Sequence, residues 1–131
     1  MALIQKQKVT QTHAVSLITL TNPSSPIAEQ YRTIRTNIQF ASAAGQQIKT
    51  IVVTSSGPGE GKSTTAANLA VVFAKFGQRV LLVDADLRKP VVYKTFQLNN
   101  ASGLSTVLSS LGSVADAIQR APVEKIGRAH V

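Results

Sequence analysis

The chain has 131 residues, of which 44% are hydrophobic and 15% are charged, and this composition is typical of one soluble globular domain. Its formal net charge of +8 makes nucleic acid or an anionic membrane surface a candidate partner but establishes neither. The absence of cysteine excludes disulfides, thiolate zinc sites and cysteine nucleophiles. Because the sequence has no apolar run of the ~18 residues that a membrane helix needs and no signal-peptide core, we expect a cytoplasmic protein.

The N-terminal region is predicted to be a polar arm followed by a helix. Residues 1–24 form the arm, in which only residues 14–20 are apolar enough for a short strand. Ser25 and Pro26 are typical of a helix N-cap and first turn, and Gly45 is typical of a helix end. Apolar residues recur in the helix at intervals of four and three, which predicts packing through one narrow stripe. The stripe consists of Ile27, Tyr31, Ile34, Ile38 and Ala41.

A βαβ unit is predicted next. Residues 48–54 (IKTIVVT) are β-branched and almost wholly apolar, which is typical of a strand buried on both faces of a parallel sheet. Residues 62–76 are apolar nearly all round and precede Gly77, which predicts a buried helix with a glycine at its end. Residues 79–84 (RVLLVD) predict a second strand. The weaker patterns that follow favour short helices within residues 91–97, 104–111 and 114–120.

Between the two predicted strands lies a phosphate-binding pattern. Residues 56–63 (SGPGEGKS) match G-x-x-x-x-G-K-[ST] except that Ser56 stands at the first glycine position. The alternative is an ordinary glycine-rich turn with a solvated lysine, but the preceding strand and following helix favour a phosphate loop. The predicted fold class is therefore α/β, a P-loop NTPase (Rossmann-like) with a parallel sheet and flanking helices.

Each residue type in this loop has a physical reason to be there. Gly57, Gly59 and Gly61 permit backbone angles that turn successive N–H groups toward one point, where the helix N-terminus adds partial positive charge. Lys62 would reach the β- and γ-phosphates of a nucleotide, and the hydroxyl of Ser63 would bind Mg²⁺.

Two carboxylates follow the second predicted strand. Asp84 and Asp86 stand where open α/β sheets bind ligands, and their spacing places both on one side if the strand continues. They could hold a magnesium ion and meet an incoming hydroxyl. The alternative is that Asp86 caps the next turn while Arg88 and Lys89 form a solvated face; beside a nucleotide loop, the functional interpretation is favoured.

These motifs resemble the Walker A and Walker A′ pair of the bacterial tyrosine kinases that govern capsule and exopolysaccharide synthesis. Glu29, Arg32 and Arg35 match the E-x-x-R-x-x-R motif of that family, and the resemblance covers about residues 24–120. It implies an enzyme that uses ATP and Mg²⁺ to phosphorylate tyrosines, chiefly on itself and on neighbouring subunits.

The resemblance also assigns residues to roles. Lys62, Asp84 and Asp86 are the catalytic candidates, and Ser63, Asp84 and Asp86 are the metal candidates. Asp84 is the best candidate for accepting the tyrosine proton, although the two aspartates could exchange roles. The residues assigned to ATP are Gly57, Gly59, Glu60, Gly61, Lys62, Ser63 and Thr64.

The resemblance places Glu29, Arg32 and Arg35 in the subunit interface of a homo-oligomeric ring. Their spacing sets them off the predicted apolar stripe, so we expect them to face solvent in a monomer. The alternative is an ordinary surface pair, which contributes only ~0.2–0.5 kcal/mol.

The sequence departs from the family at its C-terminal end. Two strands are too few for a stable parallel sheet, and the Walker B aspartate and C-terminal tyrosine cluster of the family do not follow. Residues 126–131 (IGRAHV) coincide with the translation of a common sequencing adapter, so we expect an artefact there. Residues 25–125 would then be the N-terminal part of a truncated kinase domain, inactive alone.

The expected partners are a membrane-spanning activator and tyrosine-containing protein substrates, with no nucleic acid. The activator would bring the chain to the inner face of the membrane. The alternative function is a partition- or septum-positioning-type P-loop ATPase that binds DNA or membrane. Those families carry a signature lysine where this chain has Gly57, which counts against them. A third hypothesis, a catalytically silent adaptor, applies to the fragment itself.

Overall fold

The structure is a computed structural model that describes residues 15–42, 45–123 and 126–129. Most of the predicted N-terminal arm, residues 1–14, therefore lies outside the described residues. The described elements are α1 (Ile18–Thr21), α2 (Pro26–Ser42), α3 (Lys62–Lys75), β1 (Val80–Val83), α4 (Val92–Thr95), α5 (Leu104–Leu108), α6 (Val114–Ala117), β2 (Ile118–Arg120) and β3 (Ile126–Ala129).

Helix α3 is the centre of the fold. Every residue from 67 to 74 is buried, as the all-round apolar pattern predicted. The helix ends where Gly77 adopts a φ of +100°, which confirms the predicted glycine at its end. Its buried side chains form a core with residues of β1, of α4 and of the C-terminal region. That core consists of Ala67, Ala70, Val71, Ala74, Leu82, Val92, Phe96 and Val123.

The sheet has three strands in the order β1-β3-β2 within the described residues. β1 and β3 run parallel, with Val80 opposite Ile126, and β2 pairs antiparallel with β3. The predicted second strand is thus confirmed as β1, but the sheet is mixed rather than wholly parallel. β3 lies within residues 126–131, which were expected to be an artefact. Its pairing depends on backbone N–H and C=O groups, which any residue other than proline supplies.

The predicted first strand is absent. Residues 48–54 lie within the described part of the chain but form no regular strand, and Ile51 and Val52 are 45% and 81% exposed. The reason is the lack of a neighbour: two cavities of about 500 and 910 Å³ are lined by this segment on one side and by β1 on the other. A strand without a hydrogen-bonded neighbour gains little from its β-propensity.

Helix α2 begins as predicted, because the Ser25 hydroxyl accepts a hydrogen bond of 3.0 Å from the backbone N–H of Ala28. The predicted packing stripe is only partly confirmed, however, because two of its five residues are half-buried and the other three are exposed. Ile27 and Ile34 are 52% and 41% exposed, whereas Ala28 is fully buried. The helix contacts α3 through a face that lies one position further round. Ala28 brings no bulk to that face and permits close approach.

The strand predicted within residues 14–20 is also wrong. The chain forms the short helix α1 there, and Thr19 is 1% exposed. Val15 and Leu17 pack against the core, so this part of the predicted arm is an integral part of the fold.

The three weaker helix predictions have a mixed outcome. Helices α4 and α5 form within the first two predicted ranges. The third range, 114–120, begins as α6 but continues from Ile118 as β2. Pairing with β3 supplies hydrogen-bond partners for the backbone of these residues.

Replacing Phe96 by alanine is expected to lower the free energy of unfolding by about 3–5 kcal/mol, because the ring is 2% exposed and part of the core. Phe40→Ala is the matched control, since Phe40 is 74% exposed, and it should change stability by less than about 1 kcal/mol. Chemical denaturation measures both. Equal losses would contradict the core described above.

Candidate nucleotide-binding site

The phosphate loop has the backbone conformation that its glycines allow. Gly59 and Gly61 adopt φ angles of +73° and +84°, and Gly61 is the left-handed N-cap of α3. A Cβ at either position would meet nothing within 4 Å, so the requirement for glycine comes from backbone strain and not from lack of space. The carbonyl of Gly61 accepts from the N–H of Thr65 at 2.9 Å and starts the helix.

Side chains of the loop form hydrogen bonds with one another and with the backbone of the loop. The ammonium of Lys62 lies 3.5 Å from the carbonyl oxygen of Gly57 and so reaches back over the loop. Ser56 donates to Glu60 at 3.2 Å, and the hydroxyl of Ser55 donates to the same carbonyl of Gly57 at 2.8 Å. The serine that replaces the usual glycine therefore supports the loop. The carboxylate of Glu60 is a hydrogen-bond acceptor for Ser56, which gives it a local role besides the predicted contact with nucleotide.

Asp84 is buried, with 6% of its surface exposed. Its Oδ1 accepts from the backbone N–H of Asp86 at 3.0 Å, and its Oδ2 accepts from those of Val91 and Val92 at 3.1 Å each. Bonds from backbone N–H groups to a carboxylate are charge-assisted and strong. The carboxylate thus fastens the loop after β1 to the start of α4. This environment favours a positioning role over the proton-acceptor role that the resemblance implied.

Asp86 is exposed and closes the next turn. Its Oδ1 accepts from the backbone N–H groups of Arg88 at 3.1 Å and of Lys89 at 3.0 Å. The bond from Lys89 is the main reason that the pKa of Asp86 lies below its usual value of 3.8. Desolvation opposes this shift, while the Arg88 amide and the positive charges of Lys62 and Arg88 lower the pKa further. The carboxylate is therefore ionised at neutral pH.

One cavity of about 910 Å³ brings the two motifs together. It is lined by Lys62 and Ser63 of the phosphate loop and by Asp84, Asp86 and Arg88 of the second loop. No group of three or more His, Cys, Asp or Glu residues in the described ranges could hold a metal by itself. A hydroxyl and an ionised carboxylate do fit Mg²⁺, because that ion keeps several waters and binds through one or two protein oxygens plus substrate phosphates.

The three charged residues predicted for the interface are in different environments. Glu29 and Arg32 form an ion pair of 2.6 Å on the exposed side of α2. Arg35 is not solvent-facing, contrary to the prediction: its guanidinium lies 4.4 Å from the ring centroid of Phe76, and its Nη1 donates to the carbonyl of Val72 at 3.4 Å. The buried Nε of Arg35 finds no hydrogen-bond partner among the described residues. The prediction failed because the contact face of α2 was misplaced by one position.

Sequence reasoning missed two residues next to the site, Asn68 and Thr19. Both are buried, and the Asn68 amide bonds to the backbone N–H and hydroxyl of Thr19. The available signal was a lone amide inside the most apolar helix of the chain, since a buried amide requires hydrogen-bond partners. Thr64, predicted to contact nucleotide, also supplies a carbonyl that accepts from Asn68 at 2.9 Å.

The comparisons with known proteins identify the family of the chain. The family model described as CobQ/CobB/MinD/ParA nucleotide binding domain matches residues 51–126. The chain belongs to this family. The tyrosine-protein kinase YwqD of Bacillus subtilis is 58% identical over 104 residues, which are 79% of this chain and 44% of that protein.

Two solved structures are also similar to the chain. The chimerical protein CapA2B2 matches with a TM-score of 0.79 and 41% identity over 88% of this chain and 52% of that chain. The BceF tyrosine kinase domain matches with a TM-score of 0.77 and 35% identity over 87% and 45%, respectively. These findings confirm the predicted fold class and the resemblance to bacterial tyrosine kinases, and they do not support the partition-type alternative.

The chain thus spans about half the length of YwqD and of the two matched structures. No helix among the residues described here is long and apolar enough to cross a membrane.

Titration by NMR is expected to give Asp86 a pKa below 3.8, mainly because the Lys89 amide stabilises the ionised form. Since the folded pKa is lowered, the carboxylate stabilises the fold at neutral pH, and this contribution is lost as the pH falls below 3.8 through the folded value. Lys62→Met should raise the pKa slightly, and Lys94→Met should leave it unchanged. An Asp86 pKa at or above 3.8 would contradict this environment.

Proposed function

We propose that this chain is the nucleotide-binding part of an ATP-dependent protein-tyrosine kinase that phosphorylates itself and acts in capsule or exopolysaccharide synthesis. The observation that carries the proposal is the shared cavity, in which the phosphate loop and the loop of Asp86 face each other. The family match and the relatives named as tyrosine kinases support it. A site of this kind needs no nucleophile from the protein, since phosphoryl transfer depends on positioning and electrostatics.

In this proposal each residue has its own role in binding ATP and Mg²⁺. The N–H groups of the phosphate loop and the start of α3 bind the phosphates of ATP, and the Lys62 ammonium neutralises charge on the transferred group. Ser63 and Asp86 would hold Mg²⁺, which when bound supplies further neutralisation of phosphate charge. The low pKa of Asp86 suits a ligand that must be ionised at neutral pH.

Asp84 has a different place in the proposal. Three backbone amides occupy its carboxylate, so it orients the loop that presents Asp86. A proton acceptor for the tyrosine hydroxyl would instead need an accessible oxygen within hydrogen-bond reach. Asp84→Asn separates the two roles, because a proton acceptor is lost outright whereas a positioning acceptor is kept in part.

The partners follow from the same proposal. Tyrosine-containing proteins, including a second copy of the kinase, are the substrates, and a membrane-spanning activator brings the protein to the inner face of the membrane. Nucleic acid is not required, because the net charge of +8 also suits ATP and an anionic membrane surface. The last six residues remain proposed as an adapter-derived tail on residues 25–125.

The kinase proposal is tested with a longer form of the protein, one that spans the full length of the relatives it matches. With ATP and Mg²⁺, it should acquire phosphotyrosine, and Lys62→Met should abolish the signal because charge neutralisation at the phosphates is lost. Lys94→Met is the matched control, since Lys94 is exposed and outside the cavity. Retained phosphorylation in Lys62→Met would contradict the proposal. Salt-dependent binding to duplex DNA with ATP hydrolysis and no phosphotyrosine would favour the partition-type alternative.

We also propose that Glu29 and Arg32, with a contribution from Arg35, form the interface of a ring. Arg32→Ala should shift the protein to smaller species in analytical ultracentrifugation and change stability by less than about 0.5 kcal/mol. Arg35→Ala should lower the free energy of unfolding by about 1–2 kcal/mol, because the contact with Phe76 is lost within the subunit. An unchanged size distribution for Arg32→Ala would contradict the interface.

A further inference from the structure

Asn68 is a polar residue at the centre of the core. Its side chain is fully buried, where an amide without hydrogen-bond partners would destabilise the fold. All of its hydrogen-bonding capacity is used: Oδ1 accepts from the N–H and the hydroxyl of Thr19 at 3.1 and 2.8 Å, and Nδ2 donates to the carbonyls of Ser16 and Thr64 at 2.9 Å each. One amide therefore joins two segments that are about fifty residues apart in sequence.

One of these contacts lies within α3 and reaches its first turn, next to the phosphate loop. Thr64 lies in the first turn of α3, directly after Ser63, and its carbonyl accepts from Asn68. The direction of that turn decides where the N–H groups at the start of the helix point. At the other end of α3, the ammonium of Lys75 donates to the carbonyl of Thr19 at 3.3 Å. The N-terminal segment is thus fastened along the length of the helix.

A second series of hydrogen bonds reaches the loop between β1 and α4, residues 84–91, which we call the acidic loop. The backbone N–H of Val15 donates to the hydroxyl of Thr95 at 3.0 Å, and that hydroxyl donates to the carbonyl of Val91 at 2.9 Å. The N–H of Val91 in turn donates to Asp84 at 3.1 Å. Residues 15–21 are therefore linked, each time through one side chain, to the first turn of α3 beside the phosphate loop and to Val91 of the acidic loop.

We propose that residues 15–21 are an N-terminal clamp, anchored by Asn68 and Thr95, that holds the phosphate loop and the acidic loop at the spacing required for nucleotide binding. Asn68, Thr19 and Thr95 are then positioning residues of the nucleotide site, although none of them lines the cavity. The inference rests on the proposed nucleotide-binding function. It predicts that loss of the hydrogen bonds that anchor the clamp to Asn68 and Thr95 alters nucleotide affinity and not stability alone.

The test compares two nearly isosteric substitutions on α1. Thr19→Val removes a hydroxyl that bonds to Asn68 across the core, whereas Thr21→Val removes an exposed hydroxyl that bonds only within the helix, to the carbonyl of Leu17. Isothermal titration of the full chain with ATP and Mg²⁺, well below the unfolding temperature, should show roughly fivefold weaker binding for Thr19→Val, of the order of one buried hydrogen bond. Thr21→Val should bind like the unaltered chain.

Hydrogen exchange gives a second readout that needs no nucleotide. Thr19→Val should speed exchange of the Thr65 amide, which bonds to the carbonyl of Gly61. Thr95→Val should speed exchange of the Val91 and Val92 amides, which bond to Asp84. Both effects should appear under conditions in which the rest of α3 remains protected, since global unfolding would expose every amide alike.

The outcomes are distinct. Weaker ATP binding with local faster exchange supports the clamp. Two results would overturn the clamp in favour of a purely structural role. In the first, the melting temperature falls while ATP affinity and local exchange stay unchanged. In the second, local exchange is faster while ATP affinity stays unchanged. If the unaltered chain binds no ATP, the proposed nucleotide-binding function fails, and hydrogen exchange alone decides whether the clamp holds the two loops.

Discussion

The burial of α3 is the constraint on which the rest of the structure depends. From residue 67 to residue 74 no side chain of this helix is exposed, because α1, α2 and β1 pack around it. Its N-terminal part lines the cavity with Lys62, Ser63 and Ala66. A helix end binds anions well when its N–H groups are fixed in direction, since no reorganisation is then needed when the charge arrives. The core thus supports the site because it fixes the position of the N-terminal end of α3.

Polar residues around the site divide according to burial. Asn68, Thr19 and Asp84 are buried, and each has its polar atoms occupied by backbone or by one another. Lys62 and Asp86 are accessible from the cavity and make contacts that a ligand could share or replace. Buried groups with satisfied hydrogen bonds specify one arrangement, whereas exposed groups meet the ligand. The two aspartates, which the sequence presents as a matched pair, belong to different sides of this division.

Local patterns predicted what local physics decides. The phosphate loop, α3 and β1 follow from short-range signals, namely glycine positions, an all-round apolar helix and a β-branched run. The absence of a strand at residues 48–54 was not predictable in the same way, because a strand requires a hydrogen-bonding neighbour and the local pattern does not show whether one is present. The position of Arg35 was missed because α2 contacts α3 through the face of Ala28, one step from the most apolar stripe. The contacts of Asn68 join residues far apart in sequence, which periodicity does not report.

The open side of β1 has a consequence for how the chain behaves at high concentration. Leu81 and Val83 are 52% and 45% exposed there, opposite the exposed Ile51 and Val52. Unpaired backbone groups beside apolar side chains are a template for strand addition, and natural proteins protect such edges with charge, proline or a covering element. The charged residues Lys49 and Arg79 line the opening beside this edge but leave Leu81 and Val83 exposed. Self-association through an extended, cross-strand contact would therefore compete with nucleotide binding, and a fused solubility domain or dilute conditions would favour the monomeric chain.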